Sequence, residues 1–180
     1  RGAIRTYTKF VERFPAPLDP AMEARQKLAD MAAETHDIKE RDRWLQNIID
    51  ADRAAGAGRT DRSKYLAAKA TLVFAGPAGA AFSLIKLSAP LKKNLALKKD
   101  AMERALSAYG KAAQYGVAEV TTAATYQMAE LYRTLAKDLM ESERPKNLKP
   151  DELDQYNVLL EEQAFPFEEK AIELHELNAK

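Results

Sequence analysis

The chain has 180 residues, a formal net charge of +1 and no cysteine. That length suffices for one or two domains with a sizeable core, and the near-neutral charge supplies no global field toward nucleic acid or anionic lipid. The absence of thiols excludes disulfides, cysteine nucleophiles and cysteine-based zinc sites. Hydrophobic residues make up 46% and charged residues 31%, with only seven glycines and eight prolines. This composition predicts a folded, mostly helical chain.

The first predicted helix carries Ala3, Ile4, Tyr7, Phe10, Val11 and Phe14 at spacings of three and four, and Pro15 ends it. Asp19-Pro20 reads as an N-cap followed by proline at the first helical position. The helix it opens has a face of Ala21, Ala24, Leu28, Ala29 and Ala32, and it ends near Thr35-His36. Asp37 caps the next helix, which carries Ile38, Trp44, Leu45, Ile48 and Ile49, with Trp44 expected in the core. Gly56 and Gly58 end that helix, because glycine tolerates left-handed backbone. Thr60 or Asp61 caps a fourth helix with Tyr65, Ala68, Leu72 and Val73 turned inward. Gly76-Pro77-Ala78-Gly79 is expected to break the pattern, leading into an irregular apolar stretch through Phe82, Leu84, Ile85 and Leu87. No apolar run in the sequence approaches the roughly 18 residues that span a bilayer, so direct membrane insertion is not expected.

Pro90 opens a long helix whose start carries Lys92, Lys93, Lys98 and Lys99, the one concentrated basic patch. From Ala105 to Ala136 the sequence reads as two antiparallel helices with a turn at Tyr115-Gly116. Ala105, Tyr109, Ala112 and Ala113 share one face of the first; Thr125, Met128, Ala129, Tyr132 and Ala136 share one face of the second. Small alanines let two helices approach, and Tyr and Met fill the space beside them. The segment Ser142–Pro150 reads as a loop. Pro150 opens a last helical stretch with Leu153, Tyr156, Leu159 and Leu160 in one stripe, continued by Phe167, Ala171, Ile172 and Leu174. Pro166 is expected to bend or split it, and Glu161, Glu162, Glu168, Glu169, Glu173 and Glu176 make the opposite face acidic.

Ala105-x3-Tyr109-x2-Ala112 and Ala129-x2-Tyr132 resemble the small–Tyr–Ala pattern of the tetratricopeptide-repeat (TPR) family. Tyr7-x2-Phe10-x3-Phe14-Pro15 is similar to the second helix of such a repeat, in the form seen in bacterial outer-membrane assembly lipoproteins and Tol-associated periplasmic proteins. The tract from Ser142 to Glu176 resembles the C-terminal end of large proteobacterial envelope TPR proteins, some associated with gliding motility or with TonB/Tol-type machinery. The resemblance implies an all-α fold of seven to nine helices, stacked as antiparallel pairs in a right-handed solenoid. Residues 1–75 and 76–180 would form two continuous sets of repeats. It further implies a non-enzymatic scaffold in the periplasm of a Gram-negative envelope, binding a peptide or helix of an envelope protein on a concave groove. The alternative is a structural or regulatory repeat segment of a larger chain. The opening at Arg1-Gly2-Ala3 reads as the middle of a repeat, hence as part of a longer protein.

Chemical motifs are sparse. His36-Asp37 resembles the paired ligands of HD-type phosphohydrolases, but the chain holds only two histidines; a helix end followed by an N-cap is the simpler reading. A di-iron bundle needs Glu-x-x-His, and Ile172 stands three residues before His175. Ser83-x2-Lys86 lacks the partner motifs of penicillin-recognising enzymes. No phosphate-binding or hydrolase motif is present. No catalytic residue, metal or cofactor is therefore expected, and a helical-bundle enzyme using the glutamate face is the weakest reading. The candidate binding residues are Lys92, Lys93, Lys98 and Lys99 at a rim, and Tyr109 and Tyr126 in a groove.

Overall fold

The computed structural model describes residues 2–179. These residues form seven α-helices, numbered here in chain order, and no strand is present among them. The chain divides into two compact units: residues 1–73 with the turn 115–117, and residues 74–114 with 118–180.

The first unit holds α1 (Gly2–Arg13), α2 (Leu18–Glu34), α3 (Ile38–Ala54) and the opening turns of α4 (Asp61–Leu84). α2 packs against both α1 and α3. Its small-residue face is buried as its spacing requires, and Met22, Leu28, Trp44, Leu45 and Ile48 fill the space between. The Trp44 indole N–H is satisfied by Glu40, 2.8 Å away. Thr35 closes α2, His36 takes left-handed backbone at φ +58°, and the Asp37 carboxylate accepts the backbone N–H of Glu40 at 3.0 Å. Between α3 and α4 a single 3₁₀ turn, Gly56–Gly58, begins with Gly56 at φ +51°. Thr60 then caps α4. Its hydroxyl accepts from Ser63 N at 2.9 Å, while Ser63 Oγ accepts from Thr60 N at 3.0 Å, a reciprocal capping box.

Asp52 is buried at 1% exposure. The Ser63 hydroxyl donates to its Oδ1 at 2.6 Å, and the Arg59 guanidinium lies 2.7 Å from its Oδ2. The Arg59 guanidinium also lies over the Tyr115 ring, 5.5 Å from its centroid. Burial of one carboxylate is thereby compensated by residues seven and eleven positions along the chain.

The second unit holds the end of α4, α5 (Leu91–Ala113), α6 (Ala118–Met140) and α7 (Pro150–Ala179). α6 packs on α5 and on α7. Gly116, at φ +69°, makes the α5–α6 turn, and Thr121 Oγ1 returns to the Ala113 carbonyl at 3.2 Å. α7 begins with Pro150, and the Glu152 carboxylate accepts the Lys149 N–H at 2.8 Å. Its inward positions are Leu153, Asn157, Leu160, Ala164, Phe167, Ala171, Leu174 and Asn178. All are buried or half-buried, alternately four and three residues apart. That is the heptad seam of an antiparallel helix pair. Tyr132 stacks on Phe167 with centroids 6.5 Å apart, and Asn178 Nδ2 donates to the Thr122 carbonyl at 3.1 Å.

Several expectations are corrected. Gly76-Pro77-Ala78-Gly79 lies inside α4 and does not end it. Pro77 is exposed, so the carbonyl left without a donor is open to water, and the ring is accommodated by its glycine and alanine neighbours. α7 likewise runs through Pro166 unsplit. α2 starts at Leu18, one residue ahead of the expected cap; Pro20 still lies in the first turn, whose N–H groups have no intrahelical partner. The Asp19 carboxylate instead accepts the Thr60 hydroxyl at 2.6 Å. Val73, Leu159 and Ile172, expected inside, are exposed. α4 is long and apolar enough, by length and composition, to cross a membrane, with 39% of its apolar window buried; the sequence reading had found no such stretch.

Candidate functional site

The four lysines do not form one patch. Lys92, Lys93 and Lys99 are exposed on α5, but Lys98 has 0% exposure. Its ammonium lies 2.7 Å from the Ile85 carbonyl, 3.3 Å from the Phe82 carbonyl, 2.5 Å from Asp138 Oδ2 and 4.3 Å from the Phe82 ring centroid. Those carbonyls belong to the last turn of α4 and the segment after it, where the i→i+4 ladder runs out; the Phe82 carbonyl also accepts the Ile85 N–H at 3.2 Å. Lys98 is thus a C-terminal cap built from another helix, and the sequence reading of it as a surface residue is corrected. Lys99 stays at the surface, with its ammonium 5.5 Å from the Phe167 ring centroid.

The two tyrosines also part. Tyr109 is buried against α4, where a Cβ on Gly79 would come within 2.7 Å of its hydroxyl. Burial raises the phenol above its usual pKa. Gly79, Phe82, Tyr109, Gln127, Glu130 and Thr134 line a cavity of about 280 Å³. The Ser83 hydroxyl at its edge donates to the Gly79 carbonyl. Tyr126 is 49% exposed and meets His175 edge-on, with centroids 5.5 Å apart. His175 Nε2 lies 3.3 Å from Glu130, which also takes two hydrogen bonds from Arg133. The Arg133 hydrogen bond is the main cause holding the Glu130 carboxyl below the usual carboxylate range. The cavity is small, its one carboxylate is engaged by Arg133 and His175, and among the described residues no group of three or more His, Asp or Glu is placed to hold a metal ion.

An exposed apolar row lies on the far side of α7. Val158, Phe165 and Ile172 are 52%, 55% and 58% exposed. They are seven residues apart, about 10.5 Å along the axis, on the side of the helix opposite the buried seam. An acidic residue stands four positions before each (Asp154, Glu161, Glu168) and four positions after each (Glu162, Glu169, Glu176). The apolar row is therefore bordered on both sides by carboxylates. All six are exposed, and none makes an ion pair among the described residues. Beside the row, Asp154, Gln155, Val158, Leu159 and Glu162 outline a shallow depression of about 450 Å³. Sequence reasoning missed this row because it took the acidic face as uniformly polar and turned Ile172 inward. The signal that finds it is the strict seven-residue recurrence of acid, apolar and acid.

No protein-family model, no curated protein and no solved structure matches the chain.

Proposed function

We propose that the chain is a non-enzymatic scaffold that binds a protein partner. The observation that carries this reading is the exposed row Val158, Phe165 and Ile172, displayed on a helix whose other face is already packed. Exposed apolar rows rimmed by polar residues are what protein interfaces require. Pairing of consecutive helices within each unit, α1 with α2, α2 with α3, α5 with α6 and α6 with α7, supports a TPR-like right-handed solenoid as the arrangement. The resemblance of residues 142–176 to envelope TPR proteins extends the proposal to the Gram-negative periplasm and a partner within an envelope complex. Of the candidate binding residues, Lys92, Lys93 and Lys99 at the rim and Tyr126 in the groove remain at the surface.

A second reading, a repeat segment of a larger chain, is favoured by α1. Its Ile4 and Tyr7 are exposed, as is Phe14 just after its end, an apolar face of the kind a solenoid covers with its next repeat. The test is affinity capture from an envelope extract, comparing the chain with a Phe165→Ser/Ile172→Ser variant and a Lys92→Glu/Lys93→Glu/Lys99→Glu variant. Proteins lost with the first variant and present with wild type support the scaffold. Identical recovery with all three chains counts against both proposed surfaces.

A further inference from the structure

We infer that the outer face of α7 takes a basic amphipathic helix, laid along the Val158–Phe165–Ile172 row. The inference rests on the scaffold reading above and adds the chemistry of the partner. A seven-residue recurrence of apolar side chains matches the spacing at which a second helix places its own knobs. The occupant's charge follows from the borders. Asp154, Glu161 and Glu168 run along one side of the row, and Glu162, Glu169 and Glu176 along the other. With no internal counter-ions, these six carboxylates face whatever lies on the row, so the flanking positions of the bound helix must be lysine or arginine. The same borders disfavour a second copy of α7 as occupant, since acidic rows would then meet acidic rows. Lys170 is the nearest cation on α7, and it is engaged by Glu173 at 2.8 Å. Arg133, across on α6, is engaged by Glu130. Neither neutralises the rows.

The experiment uses the full chain and two synthetic helical peptides of equal length, each with leucine at heptad spacing. One carries lysine and arginine at the flanking positions, the other glutamate. Fluorescence anisotropy reads binding, and sedimentation reads self-association. The basic peptide is expected to bind at least about tenfold more tightly than the acidic one, with affinity falling as salt rises. Phe165→Ser/Ile172→Ser is expected to weaken it by about tenfold or more, these residues being the apolar anchors. Both positions are exposed, so the variant keeps the fold, as its circular dichroism will show. Glu161→Lys/Glu162→Lys/Glu168→Lys/Glu169→Lys should invert the preference toward the acidic peptide. Equal binding of both peptides, or binding indifferent to the serine variant, overturns the inference. Self-association abolished by Phe165→Ser/Ile172→Ser overturns it in favour of a second copy. If neither peptide binds while envelope capture still depends on Phe165 and Ile172, the partner chemistry is wrong and the scaffold reading stands.

Discussion

Among the described residues each unit buries one charge, and the two are of opposite sign. In the first unit Asp52 is held by Arg59 and Ser63, residues of the following turn and helix start. In the second unit Lys98 is held by the carbonyls of Phe82 and Ile85 and by Asp138, forty residues further on. The first cluster fastens a local connection, and its cation, Arg59, is one-third exposed, so it keeps partial access to water. The second fastens three helices and encloses its cation completely. The same chemistry thus serves two purposes: Asp52 fixes a turn, and Lys98 fixes the end of α4 to α5 and α6. The difference teaches that a buried charge is read by the sequence distance of its partners more than by its sign.

That contrast orders the effects of substitution. Lys98→Ala removes the enclosed cation, leaves the Ile85 carbonyl without its ammonium donor and opens a void, and is expected to destabilise by about 3–5 kcal/mol. Urea denaturation is the measurement, and an effect below that of an ordinary surface change would break the comparison. Arg59→Ala leaves the Asp52 carboxylate buried with only Ser63, for about 3 kcal/mol. It should exceed Asp52→Ala, after which Arg59 is free to hydrate; the reverse order would mean that Asp52 is not charged in the fold. Gly79→Ala drives a methyl into the Tyr109 hydroxyl 2.7 Å away and is expected to cost about 1–3 kcal/mol. Adding Tyr109→Phe should recover much of that loss in a double-mutant cycle.

Glu130→Gln is the smallest and sharpens the comparison through pH. Arg133 and His175 hold the folded Glu130 pKa below its unfolded value. Its stabilisation is therefore present above the unfolded carboxyl pKa and lost as pH falls through the folded one. For a pair this exposed the expected difference is about 0.5 kcal/mol at neutral pH. Wild type and variant should converge in thermal scans only as pH falls below the depressed pKa of folded Glu130, where both carry a neutral side chain. A gap that widens on acidification would refute the assignment.

The helical class, most helix ends and the Ala105–Ala136 hairpin were legible because their signals are local. Asp37 and Thr60 announce helix starts by side-chain chemistry, and Gly56 and Gly116 announce turns by backbone freedom. Trp44 was placed correctly in the core by its spacing to Leu45 and Ile48. Proline misled twice for the same reason. Pro77 and Pro166 each sit on an exposed helix face, where water can satisfy the orphaned carbonyl, so neither ends its helix. Lys98 was not legible, because four lysines in eight positions read alike until a helix end and Asp138 arrive at one of them. The α7 row was written in the sequence as a heptad, but an apolar residue every seven positions is too sparse to register as a face beside a denser buried one.

Pro166 has a consequence for that row. Lacking an N–H, it leaves the main-chain carbonyl of Glu162, four residues earlier, without its helical hydrogen. Glu162 is exposed and stands between Val158 and Phe165 along the row. The backbone itself therefore offers an unclaimed acceptor midway along the outer face, fixed in direction by the helix around it. Unlike the glutamates beside it, this acceptor cannot be silenced by acid or screened as a charge by salt.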